Sequence, residues 1–202
     1  MLTEQTLNLQ VIVPKYRSAD DGVLTIAGTL ASDNLQVFVR DGQLRLVHNG
    51  TIRHFPLASV TKIEAHGFSG NDTISVAAPA NVPTYVLGGG GNDTLTGGDQ
   101  QDNLVGGGGK DHLIGNSGDD RHSVGLGHDY LLGGGHKDRL YGGDGNDTLH
   151  GGTGADRFYG DAGDYVLFAR DRYVDLLTGG AGADTVQVDA FDRSHDLFDL
   201  LA

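Results

Sequence analysis

The chain has 202 residues, 34 of them glycine and only four proline, with 38% apolar residues and a formal charge of −13. That composition is neither collagen-like nor a proline-rich linker, and such acidity sets the chain against nucleic acid and anionic membranes. No apolar run approaches a membrane span, and the absence of cysteine removes disulfide frameworks and thiolate metal sites.

At the start, "MLTEQTLNLQVIVPKYR" lacks a basic segment followed by an apolar core, so no cleaved signal peptide is expected. Residues 1–66 then read as β-strands: "VLTIAGTL", "NLQVFVR", "QLRLVHN" and "TIRHFPL" alternate apolar with polar residues. Asp41-Gly42 and Asn49-Gly50 are two-residue hairpin signals, which predict a three-stranded antiparallel meander over about 34–56. This region is expected to form an N-terminal antiparallel β cap over the open end of the glycine-rich region that begins at residue 67. Used instead as a glycan-binding face, the cap would draw its stacking rings from Tyr16, Phe38 and Phe55. Within it, "GTLASDNLQV" already has Asp33 and Leu35 in the relation that later recurs.

From Gly88 the chain divides into nines: GGGGNDTLT, GGDQQDNLV, GGGGKDHLI, GNSGDDRHS, VGLGHDYLL, GGGHKDRLY, GGDGNDTLH and GGTGADRFY. The sixth place is Asp93, Asp102, Asp111, Asp120, Asp129, Asp138, Asp147 and Asp156 in turn. The eighth place is Leu95, Leu104, Leu113, His122, Leu131, Leu140, Leu149 and Phe158. Outlying copies at 67–75 and 179–187 carry Asp72 and Asp184. Over 76–87 the phase slips by three residues, and the copy at 160–168 has Tyr165 in the aspartate place. One extra residue near Ala169 then restores Asp175 and Leu177, so 160–178 is also irregular.

Each nine reads as a glycine turn followed by a three-residue strand whose eighth residue points inward. Two nines close one coil of 18 residues around a thin core. Aspartates two nines apart stack at about 4.8 Å, where like charges repel by roughly 3.5 kcal/mol at an effective dielectric near 20. A divalent cation between turns reverses that sign. Calcium, which accepts six to eight oxygens in flexible geometry, suits carboxylates beside bare glycine carbonyls better than magnesium does. Aspartate in place of glutamate fits this use, since Glu4 and Glu64 are the only glutamates.

These nines resemble the RTX (hemolysin-type) calcium-binding nonapeptide G-G-x-G-x-D-x-U-x, with U apolar, across residues 67–187 with gaps. The resemblance implies an all-β fold, a right-handed parallel β-roll with Ca²⁺ between turns two repeats apart. The implied carboxylate ligands are the eight sixth-place aspartates with Asp72, Asp175 and Asp184. The implied carbonyl ligands lie in the glycine turns, at Gly89, Gly91, Gly107, Gly109, Gly118, Gly127, Gly143, Gly145, Gly152 and Gly154. Asp93 would pair with Asp111, Asp102 with Asp120, Asp111 with Asp129, Asp120 with Asp138, Asp129 with Asp147, and Asp138 with Asp156.

Departures from the pattern mark weaker sites over 115–130: Asn116 and Ser117 in one turn, Val124 in a first place and His122 facing inward. Gln100 and His136 add side chains in the fourth place, where the backbone must bend, and binding is expected to be tightest from Gly142 to Asp156. His112, His122, His128, His136 and His150 occupy different places in the nine and form no column. "GGGGKD" is no phosphate loop, because Leu104 and Asp111 stand where glycine and Ser/Thr are required.

The tail, 188–202, reads as a C-terminal cap or a type I secretion tail, with Asp199-Leu200-Leu201-Ala202 resembling an uncleaved export signal. Type I export machinery would then be its partner. The expected function is calcium binding that folds a secreted structural module, without catalysis, since H-E-x-x-H and G-x-S-x-G are missing. Two alternatives stand beside it: a calcium-stiffened adhesin or surface-matrix protein facing an extracellular glycan or cell surface, and the secretion module of an extracellular hydrolase.

Overall fold

Alternating apolar and polar residues, interrupted by glycine turns at a fixed interval, wind the chain into a right-handed parallel β-roll with an antiparallel cap at its N-terminal end. The computed structural model describes residues 15–18, 22–77 and 82–195. The leader reading over 1–14 and the motif Asp199 to Ala202 lie outside them.

The first strands are β1 (Lys15–Ser18), β2 (Val23–Ala27), β3 (Asn34–Arg40), β4 (Gln43–His48) and β5 (Thr51–Pro56). The β3–β4–β5 meander forms as predicted, with antiparallel pairing throughout. Its turns place both central residues at positive φ, Asp41 at 54° with Gly42 at 72°, and Asn49 at 48° with Gly50 at 82°. That is the type I′ geometry whose twist matches the strands it joins. β1 adds an antiparallel strand to β2. β2 and β3 also pair in parallel with Lys62–Ser69 and Thr73–Ala77, so both are rungs of the roll, and the Asp33–Leu35 copy lies in register with Asp72–Ile74.

Two sheets face each other. One runs from β1 and β2 through Lys62–Ser69, Thr84–Gly90 and Asp102–Gly108 to Arg193–His195; the other runs from the cap through Thr73–Ala77, Thr94–Thr96 and His112–Ser117 to Thr185–Val188. Register follows the nonapeptide. Leu104 pairs with His122, His122 with Leu140 and Leu140 with Phe158 in the first sheet. Leu95, Leu113, Leu131, Leu149 and Leu167 pair in sequence in the second. All of these side chains are fully buried and form one continuous, narrow core.

The irregular stretches resolve into register. Partners lie 18 residues apart in the central rungs, 21 apart across the slip at 76–87 and 19 apart after Ala169. The surplus residues go into turns while the strands stay aligned, because a one-residue slip within a strand would turn the leucines to solvent.

Candidate metal centre: two buried aspartate ladders

Because two nines make one turn, successive sixth-place residues fall alternately on opposite sides of the roll. One ladder contains Asp102, Asp120, Asp138, Asp156 and Asp175; the other contains Asp33, Asp72, Asp93, Asp111, Asp129 and Asp147, then Tyr165 and Asp184. Every ladder aspartate from Asp33 to Asp175 is buried, whereas Asp184 is only partly so.

One oxygen of each carboxylate is already used. The backbone N–H of Asp93 donates to Oδ1 of Asp111 at 2.8 Å, and the same bond joins Asp102 to Asp120, Asp111 to Asp129, Asp120 to Asp138, Asp129 to Asp147 and Asp138 to Asp156 at 2.6–2.8 Å. The six pairs that the resemblance implies are therefore neighbours on adjacent rungs, linked directly by the peptide. Sequence reasoning missed this bond.

The other oxygen has nothing. Oδ2 of Asp72, Asp93, Asp111, Asp120, Asp129, Asp138, Asp147 and Asp156 is buried without a hydrogen-bond partner. An ionised oxygen left so in a protein interior costs several kcal/mol unless a charge or donor reaches it. Seven of these oxygens lie close against a first-place glycine, whereas the first place before Asp129 is Val124. A β-carbon on Gly88 would strike Asp93 Oδ2 and the Gly106 carbonyl oxygen, and one on Gly133 would strike Asp138 Oδ2 and the Gly151 carbonyl oxygen. Without side chains, these glycines let a carboxylate oxygen and, on most rungs, a carbonyl oxygen of the next rung come together.

Burial sets the electrostatics. It is the foremost cause lifting Asp120 to about 8, Asp138 and Asp175 to about 7, and Asp72, Asp102, Asp111, Asp129, Asp147 and Asp156 to about 6. The donated N–H works against it, and the charge of a neighbouring aspartate adds a smaller upward push at most of these positions. The rung-to-rung repulsion expected from the stacking is present but is the lesser cause. The carboxylates lie inside the roll, and loss of water outweighs their mutual repulsion.

The turns behave as the glycines require. Gly89, Gly91, Gly107, Gly109, Gly118, Gly127, Gly143, Gly145, Gly152 and Gly154 all have positive φ. Their rungs approach closely: a β-carbon on Gly109 would collide with the Gly91 carbonyl, and one on Gly107 with that of Gly89. Asn116 at 77° and His136 at 84° accept the same backbone despite their side chains. Gln100 is a correction, because it does not take positive φ. Its turn closes instead through the Gly98 N–H, which donates to Asp102 Oδ2 at 2.6 Å and so satisfies that carboxylate.

Other departures are structural. Val124 sends its side chain into the gap beside Gly106 and Asp111 Oδ2. The Tyr165 ring fills the space over Gly142 and Gly160, and its hydroxyl donates to the Gly143 carbonyl at 2.6 Å. His122 is fully buried in register with Leu104 and Leu140, and burial pushes its imidazole down to about 3, so it is neutral. At the N-terminal end, burial raises Asp33, but bonds from His48, the Thr29 N–H, Asn49 and the Thr29 hydroxyl outweigh it and hold the carboxyl below its ordinary value. That end is sealed by protein donors.

A second, exposed ladder was also missed. The fifth-place side chains of Asn71, Asn92, Asp119, His128 and Asn146 each accept the N–H of the fifth-place residue one rung on. The recurring Gly-Asn-Asp was its signal.

Among the described residues no three His, Cys, Asp or Glu side chains converge. The profile of the RTX calcium-binding nonapeptide repeat matches this chain in four copies, at residues 87–121, 100–131, 132–167 and 171–192. No curated protein matches the chain.

Proposed function

The chain belongs to the RTX calcium-binding nonapeptide-repeat family, and we propose that Ca²⁺ bound along its two ladders drives the folding of a secreted structural module. The observation that carries this is the series of eight buried aspartate oxygens without partners, seven of them packed against a first-place glycine. Carboxylate and carbonyl oxygens are the donor set calcium takes. The ions would be held by Asp72, Asp93, Asp111, Asp129 and Asp147 on one side and by Asp120, Asp138 and Asp156 on the other, with carbonyls of the glycine turns. Binding energy that exists only in the folded chain is folding energy.

Calcium sites of extracellular modules bind at roughly 10⁻⁴–10⁻³ M, which suits a calcium-rich medium outside the cell. Export of the unfolded chain followed by folding on arrival is consistent with that range, as is a structural role without catalysis. No helix among the described residues is long and apolar enough to cross a membrane. The test is circular dichroism with calorimetric titration at pH 8. Metal-free protein should give a coil spectrum, and millimolar calcium should restore β-structure with uptake of several ions. A β spectrum indifferent to calcium would end the reading.

A second reading, display of the stiffened roll to an extracellular anionic glycan or cell surface, is favoured by the outer face of the first sheet. Arg121, Arg139 and Arg157 stand exposed on successive rungs. The Arg121 guanidinium lies 4.0 Å from the Tyr141 ring centre, and Tyr141 stacks on Tyr159. A fork of donors on each rung suits a linear chain of carboxylates or sulfates. Retention on a sulfated-polysaccharide resin in calcium, lost in Arg139→Ala, would support it; equal elution of both proteins would remove it.

A further inference from the structure

The eighth place of the nonapeptide builds the core, and seven of its eight central occupants are fully buried apolar side chains. The exception is His122, no less buried, with Leu104 on one side and Leu140 on the other. Neither of its ring nitrogens has a hydrogen-bond partner. A leucine would avoid that loss, so the imidazole demands an account of what it faces.

It lies beside the Gly115 backbone. A β-carbon at Gly115 would meet Asp120 Oδ2, the Gly133 carbonyl oxygen and, at 3.0 Å, His122 Nε2. Asp120 Oδ2 is itself buried and partnerless. The equivalent point over Gly88, Gly97 or Gly133 is met by a carboxylate and a carbonyl alone, and over Gly151 by a carboxylate and the Phe158 ring. The Gly115 rung thus brings a nitrogen to the point where these other rungs have only oxygen or carbon. The rung before it offers no free carboxylate oxygen, because the Gly98 N–H occupies Asp102 Oδ2.

We propose that the Asp120–His122 rung binds a first-row transition dication of the zinc class, through His122 Nε2, Asp120 Oδ2 and the Gly133 carbonyl. Calcium seeks six to eight oxygens, whereas imidazole suits zinc and its neighbours. Three protein ligands with water complete a four-coordinate zinc ion. The inference rests on the reading of the ladders as cation sites and makes this rung chemically distinct from the others.

The test uses the whole chain, folded in saturating calcium and titrated with Co²⁺ as a spectroscopic stand-in for Zn²⁺. The wild type should develop a visible cobalt absorption band at one equivalent, displaced by zinc. His122→Leu restores the residue type of the other rungs, so it should keep its β spectrum and calcium uptake while binding cobalt and zinc at least tenfold more weakly. His136→Gln, which alters an exposed histidine elsewhere, should keep the band. An identical band in His122→Leu, or no band in a wild type that binds calcium, would overturn the assignment. Calcium uptake is followed by circular dichroism and cobalt by its own absorption, so failure of this site and failure of the calcium reading give different results.

Discussion

Metal-free roll should lose stability as pH rises, the reverse of ordinary acid denaturation. The ladder aspartates have a reference value of 3.8 and folded values of about 6 to 8. Between those limits the folded chain holds protons that the unfolded chain has released. Stability then falls with increasing pH through the window and levels off above about pH 8. One carboxyl moved from 3.8 to about 6 costs the folded state roughly 3 kcal/mol once ionised. Three such groups cost about 9 kcal/mol, which is comparable to the whole stability of a typical domain.

The assay is urea unfolding in buffers stripped of metal on a chelating resin, followed by circular dichroism at about pH 5 and pH 8. The midpoint measured at pH 5 should be lost by pH 8, where the metal-free chain is a coil. Asp120→Asn, which removes the most strongly raised group, should move the pH at which structure is lost upward. In millimolar calcium the sign should invert, because the ions need ionised carboxylates and leave as acid protonates them. A metal-free midpoint that stays level or rises between the two pH values would refute the reasoning.

Individual residues give three further expected outcomes. Gly109→Ala, at φ 128° against the Gly91 carbonyl, should lose about 1–3 kcal/mol in calcium, while Gly108→Ala, with open space around it, should be near neutral; thermal melts decide. Leu131→Ala, fully buried between Leu113 and Leu149, should cost about 2–5 kcal/mol by urea titration. Tyr165→Asp should add calcium uptake by calorimetry, because it replaces the ring that plugs the gap over Gly142, whereas Tyr165→Phe should cost about 1 kcal/mol for the lost bond to Gly143 and leave the ion count unchanged.

The register of the roll was legible because it depends on phase alone. Once Asp93 to Asp156 recur in step, the leucines two places on must stack, and the Asp41-Gly42 and Asn49-Gly50 turns fix the meander. Depth was not legible. Spacing puts Asp111 above Asp93 whether the pair sits on a wet edge or in a dry interior, yet those cases differ in whether repulsion or desolvation governs the carboxyl. The Gln100 turn and the Tyr165 plug escaped for a related reason. Each is a local replacement of one donor or one filled volume by another, and no periodicity records it.

The aspartate bias itself now has a cause more specific than a taste for turns. Most ladder carboxylates divide their two oxygens: Oδ1 accepts the N–H of the preceding rung, and Oδ2 lies against a first-place glycine without a hydrogen-bond partner. The first contact joins adjacent rungs directly; under the proposed function, the second is where a cation would add its stability. A glutamate, one methylene longer and with another torsion to fix, would have to fold back to meet both and would crowd the space the glycines leave open. The first-place glycine and the sixth-place aspartate therefore act together. The glycine makes room, the short acid fixes the rung, and under the proposed function the oxygen left over is the one a calcium ion would satisfy.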